Sequence, residues 1–89
     1  MVSNMVKLIV NVEVGYGLSI PEEYIDEICN KLEVDADNKH LVNQYNDSYY
    51  WIVDDVDVNK YNDGIDNIQK YVMSLYTKGL IQYFYIGTL

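Results

Sequence analysis

From Val6 to Val14 the chain alternates without a break, with Val6, Leu8, Val10, Val12 and Val14 on one side and Lys7, Ile9, Asn11 and Glu13 on the other. A period of two sets one row of side chains on each face of a strand, and a row made only of Val and Leu must be covered. Two helical periods are available to cover it. Ser19-Ile20-Pro21-Glu22 has the marks of a helix start: a capping hydroxyl, Glu three residues on, and a proline tolerated in the first turn. This helix is expected to run to about Glu33, with Tyr24, Ile25, Ile28 and Leu32 as its apolar stripe and Cys29 at the edge. Tyr61, Ile65, Ile68, Val72 and Leu75 repeat at steps of four and three, which predicts a second helix from near Asn59 to Asp63 as far as Lys78. Gly64 weakens its first turns, and Gly79 stands where a left-handed cap is wanted.

The remaining segments supply strands. Gly15-Tyr16-Gly17 ends the first one, and residues 34–39 are polar turn formers. His40 to Tyr45 and Tyr49 to Val58, separated by Asn46-Asp47-Ser48, form a hairpin, with Asp54-Asp55 marking a bulge or an early end to pairing. Leu80 to Leu89 is aromatic and β-branched enough for a last strand. The order is βαββαβ. In 89 residues this is most economically an α+β ferredoxin-like plait, a four-stranded antiparallel sheet with two helices on one face and the first and third strands central. A meander of the last three strands is disfavoured by the helical segment between the third and fourth. A chain this short buries roughly 60 to 65% of its unfolded surface, enough for one domain spanning 1–89 and one core. Its single cysteine excludes an internal disulfide, so packing alone must hold it.

Charge narrows the function. The formal charge is −8, and every basic residue is a lysine (Lys7, Lys31, Lys39, Lys60, Lys70, Lys78), with no arginine. Arginine forks and Lys/Arg clusters are what hold phosphates and release counterions, so direct binding of DNA or RNA is not expected. The N-terminal stretch alternates polar and apolar residues and lacks a small-residue cleavage site, so it does not read as a signal peptide. Met5 could serve as a second start, leaving Met1 to Asn4 as a lead. No run approaches the roughly 18 apolar residues of a membrane span, and the expected setting is cytoplasmic, with no membrane partner.

Few residues suggest chemistry. Asp55 to Asp66 places oxygen donors in the register of a calcium loop, but Lys60 stands where that loop needs glycine and Asp66 where it needs a bidentate glutamate. The other reading is an acidic strand end followed by a helix cap. The group Asp35, Asp37, Asn38 and His40 is weaker, and no metal site is expected. His40 has no nucleophile placed near it by any motif. Cys29 reads as a small core residue, since no nearby positive charge would lower its pKa. Gly15-Tyr16-Gly17 has the glycines of an acylphosphatase-type loop without the arginine that loop requires. The chain is therefore read as no enzyme, with no cofactor.

Binding features remain. If Tyr50 and Ile52 face the helices, Tyr49, Trp51 and Val53 face out; if Phe84 and Ile86 face in, Ile81, Tyr83 and Tyr85 face out. Trp51, Tyr83 and Tyr85 would then make an exposed patch with Ile9, larger than a monomer usually shows. The same residues are also ordinary strand formers, and a one-residue slip in register flips them all. Twelve of the fourteen acids fall into two groups. One holds Glu22, Glu23, Asp26, Glu27, Glu33, Asp35 and Asp37; the other holds Asp54, Asp55, Asp57, Asp63 and Asp66. Such groups keep a small protein soluble, and they can also imitate a phosphate backbone, with Tyr and Trp as anchors.

In size, βαββαβ order, these two acid groups and ten tyrosines, the chain resembles small phage-encoded inhibitors of host defence, such as anti-CRISPR proteins and inhibitors of uracil-DNA glycosylase. Immunity proteins and antitoxins that neutralise nucleases share those traits. The resemblance implies a non-catalytic inhibitor that blocks the basic nucleic-acid-binding surface of a nuclease or CRISPR effector, a DNA mimic in effect. Partner-binding residues would be Glu22, Glu23, Asp26, Glu27, Asp54, Asp55, Asp57 and Asp63, with Trp51, Tyr83 and Tyr85. The alternative is a self-associating structural or regulatory domain that forms a homodimer through the open sheet face.

Overall fold

The computed structural model describes residues 4–18 and 20–89. The strands are β1 (Met5–Val14), β2 (Lys39–Tyr45), β3 (Ser48–Asp57) and β4 (Ile81–Thr88), and the helices are α1 (Glu22–Lys31) and α2 (Val58–Thr77). A 3₁₀ turn over Ala36–Asn38, absent from the sequence reading, precedes β2. The sheet order is β2-β3-β1-β4 with every pair antiparallel, so β1 and β3 are central as expected. The chain is α+β, with one four-stranded antiparallel sheet and two helices. Among the described residues, no helix is long and apolar enough to cross a membrane.

One core joins Leu8, Val10, Val12 and Val14 of β1 to Ile25, Ile28 and Cys29 of α1 and to Ile68, Val72 and Leu75 of α2. The apolar row of β1 is thus covered as its alternation required. The capping role expected of Ser19, and most of the Met1 to Asn4 lead, fall outside the described residues. Pro21 occupies the N-cap of α1 without a side-chain hydrogen bond. The helix ends two residues before Glu33, which turns the chain with φ 56° while the Val34 N–H donates to the Cys29 carbonyl at 2.9 Å. α2 starts at Val58, slightly ahead of the expected range, because Asp57 caps it by accepting from the Asn59 N–H at 2.8 Å. Gly64 leaves room for the end of α1, since a Cβ there would lie 3.2 Å from Leu32 Cδ2. Gly79, at φ 72°, ends α2 as expected, with the Leu80 N–H donating to the Leu75 carbonyl.

The faces of β3 correct the sequence reading. Val10 pairs with Trp51, Val12 with Tyr49 and Leu8 with Val53, and partners across an antiparallel ladder share a face. Tyr49, Trp51 and Val53 therefore face the helices, and Trp51 is only 3% exposed. Tyr50 and Ile52 lie on the other side. Both rows of β3 are apolar, so alternation could not choose between them; the pairing with β1 and the bulge did. That bulge sits where Asp54-Asp55 suggested it: Val6 pairs with Val56 and Leu8 with Val53, so Lys7 opposes both acids. Asp55 takes φ 56°, and the extra residue brings Val56 back to the core beside Val53. A second shift, between Glu13 and Val14, pairs Val14 with Ile81, which is buried rather than outward as expected.

Candidate functional site

The uncovered face of the sheet can be read row by row from the register. Tyr45, Ser48, Glu13 and Tyr83 form one row, Asn43, Tyr50, Asn11 and Tyr85 the next, and His40, Ile52, Ile9 and Gly87 the third. Tyr83 and Tyr85 lie outward as expected, 47% and 51% exposed, and Tyr45 is 73% exposed. Trp51 does not belong here; Tyr50 and Ile52 take its place. The Tyr85 ring lies along its own strand, so close to Gly87 that a Cβ there would come within 2.6 Å of the phenol oxygen. Gly87 is thus a requirement of the ring's position. Asn11, between Tyr50 and Tyr85, is 8% exposed, and its amide donates to Ser48 Oγ at 2.9 Å and to the Tyr49 carbonyl at 3.1 Å. This buried polar link between the central strands was not legible from alternation, which marks a face and not its cover.

The carboxylates are less free than their number suggests. Lys39 Nζ lies 2.7 Å from Asp26 and 3.9 Å from Glu22, and Lys31 lies 3.5 Å from Glu27. Of the α1 acids assigned to partner binding, only Glu23 has no ion pair among the described residues. The hydrogen bond and charge of Asp26 hold the Lys39 ammonium above its ordinary pKa. Asp54 is bracketed on the open face by Lys7 at 3.4 Å and His40 Nε2 at 3.0 Å. Apart from Lys31 and Glu27, one helical turn apart, these pairs join residues distant in sequence, so composition gave no sign of them.

Asp55, Asp57 and Asp63 differ. They follow one another from the bulge through the cap into α2, with no ion pair among the described residues. The loop after α1 comes to the same end of the molecule: Glu33 pairs with Lys60 at 3.3 Å, and the Asn38 amide donates to the Asp54 carbonyl at 3.1 Å. Acids separated in the sequence, Glu33, Asp35 and Asp37 with Asp54 to Asp63, are therefore gathered at one end. Asp35 accepts from the Asp37 N–H and caps the 3₁₀ turn.

Asp55 to Asp66 is a strand end, a cap and a helix, not a calcium-binding loop. Among the described residues no group of three His, Cys, Asp or Glu side chains is placed to hold a metal ion. Cys29 is 1% exposed, and burial pushes its thiol pKa up, which suits a core residue. Tyr71, half-buried against α1, lies under the Lys31 ammonium at 5.4 Å; burial and the charge of Glu27 push its phenol up to about 12. No protein-family model matches the chain, and neither a curated protein nor a solved structure matches it.

Proposed function

We propose that the chain is a non-catalytic inhibitor, active in the host cytoplasm, that covers a basic nucleic-acid-binding surface of a defence complex or nuclease. Its element order and the strand order β2-β3-β1-β4 support assigning it to the ferredoxin-like architecture. The observation that carries the function is the acidic end. There Asp55, Asp57 and Asp63 make no ion pair among the described residues, while Lys7, Lys31, Lys39 and Lys60 pair with other acids. Carboxylates left unquenched on a scaffold of net charge −8 attract a basic cleft and speed encounter with it. Of the α1 acids assigned from sequence, Glu22, Asp26 and Glu27 contribute less, being paired within the chain. The test is a pull-down from nuclease-treated host lysate, eluted along a salt gradient with DNA as competitor. The expected capture is a basic nucleic-acid enzyme released by both salt and DNA; capture indifferent to both contradicts the reading.

A homodimer through the open face is the second reading, favoured by the exposure of Tyr45, Tyr83 and Tyr85 on one side of the sheet. Trp51 cannot be its anchor. Replacing Tyr83 and Tyr85 together by Ser should then leave a folded monomer, and a dimer that survives the change removes this reading.

A further inference from the structure

The two edges of the sheet are built differently. β2 carries Lys39 and His40 and is broken by a register shift between Leu41 and Asn43, devices that discourage another strand from adding to it. The one register shift of β4, between Glu13 and Val14, lies at its start and leaves Tyr83 to Thr88 in unbroken register with β1. From Ile81 to Leu89 there is no charged residue and no proline, and of the β1 residues in register with β4 only Glu13 is charged.

Which backbone groups of β4 are free follows from one hydrogen bond. The Leu89 N–H donates to the Lys7 carbonyl at 2.9 Å, and these residues continue the register in which Thr88 faces Leu8 and Gly87 faces Ile9. Bonded and non-bonded pairs alternate along an antiparallel ladder, so Gly87, Tyr85 and Tyr83 turn their N–H and C=O groups toward β1. Phe84, Ile86 and Thr88 turn theirs outward, in a row with no partner among the described residues. The side chains of Phe84 and Ile86 point to the helix layer and stay there. Only backbone is offered at the edge, and a strand that binds it must supply the matching pattern.

We propose that β4 is a self-association site, at which the β4 of a second copy adds antiparallel to form a continuous eight-stranded sheet. The free groups are self-complementary. With Ile86 opposite its own copy, Phe84 falls opposite Thr88, and about six backbone hydrogen bonds close about a two-fold axis. A second copy fits because β4 is the long edge on which a chain of net charge −8 sets no charge against its own twin. The helices of both copies then lie on one side, and the two open faces run together on the other. Since like-charged chains are brought together, salt strengthens this contact, whereas it weakens capture of a basic partner.

The test is the mass by sedimentation equilibrium at about 0.5 mM, in low and high salt, compared with Ile86→Pro. The Ile86 N–H takes no part in the ladder with β1, so proline there leaves the internal sheet intact and removes the central outward donor. The wild-type mass is expected to rise from 10.4 kDa toward twice that value, further in high salt, with the amides of Phe84, Ile86 and Thr88 protected from exchange. Ile86→Pro is expected to stay at the monomer mass with native circular dichroism. If Ile86→Pro does not fold, Thr88→Pro takes its place at the exposed strand end. A wild type that stays monomeric overturns the proposal. A dimer that keeps its mass in the folded proline variant overturns it equally.

Discussion

On the helix side of the sheet, β1 and β3 contribute Leu8, Val10, Val12, Tyr49, Trp51 and Val53, none more than 6% exposed. On the other side the same strands contribute Ile9, Tyr50 and Ile52, partly exposed, on the face that also carries Tyr83 and Tyr85 of β4, about half exposed. On β3 the two sides differ little in apolar character and greatly in what covers them. Burial is therefore assigned by pairing and by the helices, since each β1 residue commits its β3 partner to the same face. Helix residues Ile25, Ile28, Ile68 and Val72 close over one side only. The other is left uncovered.

The difference is broken most severely at Trp51. Trp51→Lys sets a charge where an indole fills the core. Truncation of a buried aromatic alone costs about 3 to 5 kcal/mol, a large part of a small domain's stability, so the variant should be largely unfolded by circular dichroism. Tyr85→Lys, on the open side, should keep the native spectrum. Deleting Asp55 attacks the device that sets the phase of β3. Without the extra residue Val56 turns from the core, and chemical denaturation should show a loss of about 2 kcal/mol, the value of one buried valine. Unchanged stability would mean that the bulge has no part in sorting the faces.

Alkaline titration probes the helix layer. Tyr71 is raised to about 12 by burial, then by Glu27, and Tyr24 and Tyr61 are raised by burial first. The unfolded chain releases these protons near pH 10, before the folded one does. Their contribution is thus complete below pH 10 and is lost as pH climbs toward 12, so the melting temperature should fall through that window. The smallest effect belongs to the open side: Tyr83→Ser with Tyr85→Ser should cost no more than about 1 kcal/mol in a denaturant melt.

Much of the fold was legible in the sequence because β1 has only one apolar row, and because Ile65, Ile68, Val72 and Leu75 repeat at a helical period. The bulge at Asp54-Asp55 and the turn at Gly79 were legible because acids and glycine have local reasons to stand there. The faces of β3 were not, since Tyr49 to Val53 is apolar on both rows and its phase depends on a partner strand more than thirty residues away. The candidate site suffered the same way. Lys39 with Asp26, and Asp54 between Lys7 and His40, are meetings that only the fold arranges.

The most direct test of the two-sided sheet uses the chain's single tryptophan. Acrylamide quenching of Trp51 fluorescence is suitable because a neutral quencher is indifferent to the net charge of −8. The native protein should show blue-shifted emission and weak quenching, rising severalfold on unfolding in denaturant. Native emission already red-shifted and as readily quenched as in the unfolded chain would place Trp51 on the open face, and with it reverse the assignment of every residue on β3.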